Sequence, residues 1–148
     1  KLAELQKMEL RGAPGGLAAE VTKNYYHALG TVYMNNQEKE EAFKWFNKEK
    51  RDLQESIRLG RYLGITAYLH LADLEAIMGN KAEVYKNLRM LKDIRVCPLW
   101  LNNTLKNSES FKTMRNEPEF QEIMKNMEAK YQAEHERVRK WLEEQGKL

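Results

Sequence analysis

The 148-residue chain holds a single cysteine, Cys97, so an internal disulfide framework and a zinc site built on four cysteines are both excluded. Prolines number three and glycines eight, too few breakers for a loop-rich chain, and most of them stand at expected helix boundaries. No apolar run approaches the ~20 residues needed to span a bilayer, and no signal peptide is visible. An excess of one charge is lacking too: 25 basic residues face 22 acidic ones and the two signs are closely mixed. A nucleic-acid binder usually carries a one-sided basic surface, so nucleic acid is not expected as a partner of this segment. Lys44, Lys48 and Arg51 do share a helical face, but Glu40, Glu41, Asp52 and Glu55 lie close by, which reads as a solvated face of mixed charge.

Chemical motifs are missing as well. There is no G-x-S-x-G, no phosphate loop and no H-E-x-x-H, and His27, His70 and His135 fall on different expected helices. Gly60 and Gly64 flank a helix-to-helix joint that lacks the strand a phosphate loop needs. Cys97 lies in the apolar stretch 94–100 and reads as a small buried hydrophobe. The expectation is therefore a non-enzymatic chain with no catalytic residues, no metal and no cofactor. The chain begins at Lys1, inside what reads as a helix, so an N-terminal part is expected to have been removed.

What is present is helical periodicity from end to end. Leu2, Leu5, Met8 and Leu10 form an apolar stripe that breaks at 11–16. Helices are expected over about 17–34, 37–59, 62–78 and 81–94, separated by Asn35-Asn36, Gly60 and Gly79-Asn80. Asn80 with Glu83 three residues on predicts a capping box. No segment alternates with period two, so no sheet is expected. A short helix is expected from Pro98, and a long one from Pro118 to the end.

One spacing stands out: Tyr26-x2-Leu29-Gly30-x2-Tyr33-x8-Ala42-x3-Phe46. Leu29, Gly30 and Tyr33 share a face of a first helix, where the small Gly30 permits close approach of a second. Ala42 is the matching small residue there, and Phe46 fills the gap one turn on. This spacing resembles the tetratricopeptide (TPR) repeat family, whose antiparallel helix pairs stack on copies of themselves. A second, weaker frame follows 42 residues later in Tyr68-x2-Leu71-Ala72-x2-Glu75-x8-Val84-x3-Leu88. There Glu75 replaces the aromatic and Val84 the small alanine. The segment Ser110–Phe120, with Pro98-Leu99-Trp100-Leu101 before it, is similar to the phrase that closes many bacterial TPR arrays.

The resemblance implies an all-α, TPR-like α-α superhelix of about two repeats, with flanking helices and a long C-terminal helix. It implies one domain over 1–148: a half-repeat and linker at 1–16, repeats at 17–59 and 60–96, and end-of-array helices at 97–148. It also implies a setting at the C-terminus of a larger bacterial protein, in cytoplasm or periplasm. First helices of such pairs line a partner groove, which puts Asn24, His27, Thr31 and Asn35 there from one repeat, and Thr66, Leu69, Asp73 and Ile77 from the other. That set is mixed and neutral, unlike the carboxylate clamp of chaperone-binding TPRs. The aromatic residues Tyr25, Tyr26, Tyr33, Phe43, Trp45 and Phe46 are expected in the core more than in a binding box, and Trp45 is the exception worth testing, since Phe46 already takes the inward face.

The leading functional expectation is a protein–protein interaction module that binds a peptide or helix. The alternative is a regulatory, self-associating domain at the C-terminus of a bacterial transcription regulator or signalling protein. The C-terminal stripe of Phe120, Ile123, Met124, Met127, Tyr131, Val138, Trp141 and Leu142 bears on that choice. It falters at Glu134-His135. Two readings stay open: a helix that caps the last repeat, or one whose outer half pairs with another chain to give a homodimer.

Overall fold

The computed structural model describes residues 17–61, 64–93 and 97–147; the side chains of 17–24, 64–65 and 92–93 lie outside that set. The expected helix over residues 1–10 falls outside the described residues. Among the described residues there are six α-helices and no strand: α1 (Leu17–Asn35), α2 (Lys39–Arg58), α3 (Gly64–Ile77), α4 (Lys81–Arg89), α5 (Leu99–Asn107) and α6 (Pro118–Glu144). Two compact units divide the chain, Lys1–Leu63 and Gly64–Leu148.

In the first unit α1 and α2 pack as a pair joined by a turn at residues 36–38. The packing is antiparallel, because Gly30 meets Phe46 while His27, one turn earlier on α1, meets Glu49, one turn later on α2. A Cβ placed on Gly30 would lie 2.6 Å from Phe46 Cδ1 and 2.8 Å from Cζ. The two helices therefore approach more closely than any side chain at position 30 permits. Leu29, Ala42, Phe46 and Leu53 are buried in this unit.

The α1 C-terminus closes with the bond pattern of a Schellman cap. Glu38 N–H donates to Tyr33 O at 2.9 Å and Gln37 N–H to Met34 O at 3.0 Å. This cap needs a left-handed residue, and Gln37 occupies it with φ of 65°. The equivalent cap after α3 has Gly79 at φ of 80°, where no Cβ is strained. Replacing Gln37 by Gly is accordingly expected to stabilise the first hairpin by about 0.5–1 kcal/mol, the relief of left-handed strain outweighing the added freedom of the unfolded chain. Urea denaturation monitored by helical circular dichroism measures it; a loss of stability would show that the Gln37 side chain contributes something its exposed position does not suggest.

The second unit pairs α3 with α4 across the Met78–Asn80 turn. Asn80 stands at the α4 N-cap but makes no side-chain cap hydrogen bond, so the expected capping box does not form. Its amide donates instead to Glu75 Oε2 at 2.7 Å. The reason is Glu75 itself: it occupies the position of an aromatic, is 1% exposed, and its buried carboxylate demands donors more strongly than a surface N–H does. After Arg89 the chain tightens into a 3-10 turn at Met90–Asp93, ending α4 earlier than the periodicity suggests.

A second layer of helices closes this unit. Leu69, Ala72, Val84, Tyr85, Leu88 and Leu91 from the pair form one core with Leu101 and Leu105 of α5, Phe111 and Met114, and Phe120, Met124 and Met127 of α6. Pro118 opens α6 at its first turn, where a missing N–H costs nothing. The Tyr85 hydroxyl donates to Glu117 Oε2 at 2.7 Å, and Lys81 Nζ lies 2.7 Å from the same oxygen. These two partners, Lys81 first, hold the Glu117 carboxyl below its ordinary range. The start of α6 is thereby tied to α4.

Candidate functional site

The residues expected to line a groove fall into two groups. On α1, Thr31 and Asn35 are exposed, with Thr31 Oγ1 donating back to the His27 carbonyl at 2.9 Å. His27 faces the other helix: its Nδ1 lies 3.2 Å from Glu49 Oε2, and its ring centroid is 5.9 Å from that of Phe46. Glu49 is buried at 3% exposed, so the imidazole supplies a partner to a carboxylate taken out of water. Asn24 lies in α1 with its side chain outside the described set.

On α3, Thr66 and Ile77 are half-exposed, whereas Leu69 is 4% exposed in the core cluster. Asp73 is half-buried and holds the closing segment: Ser108 Oγ donates to its Oδ1 at 3.3 Å, and Ser110 Oγ donates to the same atom. The Arg115 guanidinium in turn donates to the Ser108 carbonyl. Asp73 thus serves as an anchor for residues 108–115. A helix buried on several faces, as α3 is, leaves little of its surface for a ligand.

Trp45, the aromatic worth testing as a binding residue, is packed. It is only 9% exposed, edge-on to Tyr25 with centroids 6.0 Å apart and 5.8 Å from Tyr26. Lys48 Nζ sits 4.0 Å from its ring centroid. Phe46 fills the inward face and Trp45 the next one, where the rings of Tyr25 and Tyr26 and the Lys48 ammonium cover it jointly. Phe46 and Trp45 are both packing residues.

The exposed strip on α1 is Ala28, Thr31, Val32 and Asn35, with Val32 37% exposed; Ala28 and Val32 are the two members that the spacing argument passed over. These four recur at i, i+3, i+4 and i+7, one continuous helical face. A signal was available in the sequence, since Leu29, Gly30 and Tyr33 mark the buried side and the strip lies between their turns. Among the titratable groups, Cys97 donates its thiol to Asn102 Oδ1 at 3.6 Å, and burial pushes the thiol up, so it is held protonated. Among the described residues no cluster of three His, Cys, Asp or Glu side chains could hold a metal ion, and no helix is long and apolar enough to cross a membrane. Compared with protein-family models, curated protein sequences and solved structures, the chain finds no match in any of the three.

Proposed function

We propose that this chain is a non-enzymatic protein–protein interaction module whose two helix hairpins are TPR-like repeats, with the outward face of α1 as the main partner-binding strip. The exposed Ala28–Thr31–Val32–Asn35 face carries the reading. It lies on a hairpin stiffened by the Gly30–Phe46 approach, so its side chains are presented at little ordering cost. A small apolar centre at Val32, flanked by neutral hydrogen-bonding groups, suits an extended peptide or a helix and does not suit a highly charged partner. The non-enzymatic part of the reading is supported by His27 and Asp73, which are engaged with Glu49 and with Ser108 and Ser110.

Peptide display on the purified chain tests this. Selected peptides are expected to lose about tenfold or more in affinity with Val32→Asp, a change at the centre of the strip, and to be unaffected by Asn47→Asp on α2. Binders indifferent to Val32→Asp and to Thr31→Arg would remove the reading.

A further inference from the structure

The outer half of α6 is amphipathic, and only its inner half is covered. Phe120, Met124 and Met127 are buried in the core, and Tyr131 packs at its edge. The same seam continues through Val138, 41% exposed, and Trp141, 51% exposed. With Glu134 between them, Met127, Tyr131, Glu134, Val138 and Trp141 alternate at spacings of four and three, the a/d pattern of paired helices. Pairs within the helix brace it. Beside the seam Arg137 bonds Glu134 at 3.0 Å, and on the opposite side Arg139 bonds Glu136 at 2.9 and 2.8 Å and also reaches Glu143, while Lys140 lies 3.8 Å from Glu136. Such i,i+3 and i,i+4 pairs support the helix where no neighbour does.

We propose that this outer half of α6 pairs antiparallel with the same segment of a second copy, centred near Glu136. The charges select both the occupant and the direction. A parallel, in-register pair would set Glu134 against its own copy in the seam, a like-charge contact. The antiparallel arrangement removes it, since Glu134 then faces Val138 of the second copy. Tyr131 faces Trp141 of the second copy, an aromatic pair formed twice. Flanking the seam, Lys130 comes opposite Glu144 of the second copy, also twice, an attraction the parallel arrangement lacks. Arg137 meets its own copy near the symmetry axis, and each arrives already bonded to Glu134, so neutral pairs meet there. The segment is self-complementary, which a surface made for an unrelated partner has no reason to be.

The seam is short, with four aromatic side chains as its main payload, and it falls below the ~1,200 Å² of a stable standard interface. The dimer is accordingly weak, with a dissociation constant on the order of 10–100 µM. Sedimentation equilibrium of the 148-residue chain from about 5 to 500 µM tests it, the window bracketing a weak interface. The mass average is expected to rise from 17.5 kDa toward twice that value. Trp141→Ala raises the dissociation constant by about tenfold or more. Lys130→Glu and Glu144→Lys each weaken the dimer about threefold or more, and the two together restore it, as exchanged charges at one contact do. The three substituted positions, Lys130, Trp141 and Glu144, are exposed or half-exposed, so helical circular dichroism stays unchanged. A monomer throughout the range overturns the proposal, as does a dimer indifferent to Trp141→Ala. A double variant that stays as weak as the single ones overturns the antiparallel register.

Discussion

Phe111→Ala is expected to destabilise the second unit by about 3–5 kcal/mol, the cost of deleting a large aromatic side chain from a site that cannot collapse around the void. Phe111 is fully buried, its ring centroid 6.0 Å from that of Phe120. The core cluster it belongs to draws side chains from α3, α4, α5 and α6, so filling the gap would take movement of several elements together. Its backbone is held as well, with Met114 N–H donating to its carbonyl at 3.0 Å and Arg115 N–H at 3.1 Å. Set against the ~5–15 kcal/mol by which domains are stable, this loss brings the unit close to unfolding. Phe111→Leu keeps most of the volume and is expected to cost less than half as much. Thermal and urea melts of the two variants decide the matter. A loss below about 1 kcal/mol for Phe111→Ala would mean that the 108–115 segment is an appendage and not part of the core.

Gly30→Ala sets two effects of opposite sign against each other. Within a helix, alanine is favoured over glycine by about 1 kcal/mol, so propensity alone says the variant is more stable. The Phe46 ring says otherwise. The new methyl would lie 2.6 Å from Cδ1 and 2.8 Å from Cζ, far inside van der Waals contact, and that ring is 1% exposed with nowhere to turn. Overpacking of this kind costs about 1–3 kcal/mol or more. The expected net result is a hairpin less stable by about 1–2 kcal/mol, with the melting temperature lowered accordingly. Combining Gly30→Ala with Phe46→Leu, which removes the ring edge, is expected to recover part of the loss. Stabilisation by Gly30→Ala alone would show that the helices stand further apart than described.

The all-α class, the order of the helices and most of their limits were readable along the chain. Each depends on residues a few positions apart: apolar recurrence at three and four, a glycine after α3, and a proline opening α6. The Gly30–Phe46 partnership was readable too, since a small residue on one helix and a ring on the next, at a fixed separation, describe one contact. The capping box was not, although Asn80 and Glu83 stand at the right spacing. That local rule lost to Glu75, whose burial is a tertiary fact and whose carboxylate took the Asn80 amide.

The candidate site was legible to within one helical face. The expected strip of Asn24, His27, Thr31 and Asn35 and the observed strip of Ala28, Thr31, Val32 and Asn35 share two members. A helix advances about 100° per residue, so His27 stands at the margin of the exposed strip, its half-exposed ring turned toward Glu49 of α2. What the sequence by itself determined is the local matter: helices, turns, and a first hairpin built on a glycine against a ring. The tertiary structure alone decided which polar side chains are taken up by partners distant in the chain. His27 finds Glu49 across 22 positions, Tyr85 finds Glu117 across 32, and Asp73 finds Ser110 across 37. No periodicity encodes such pairs, because they arise from burial: a carboxylate or hydroxyl removed from water takes whatever partner the packing brings within reach.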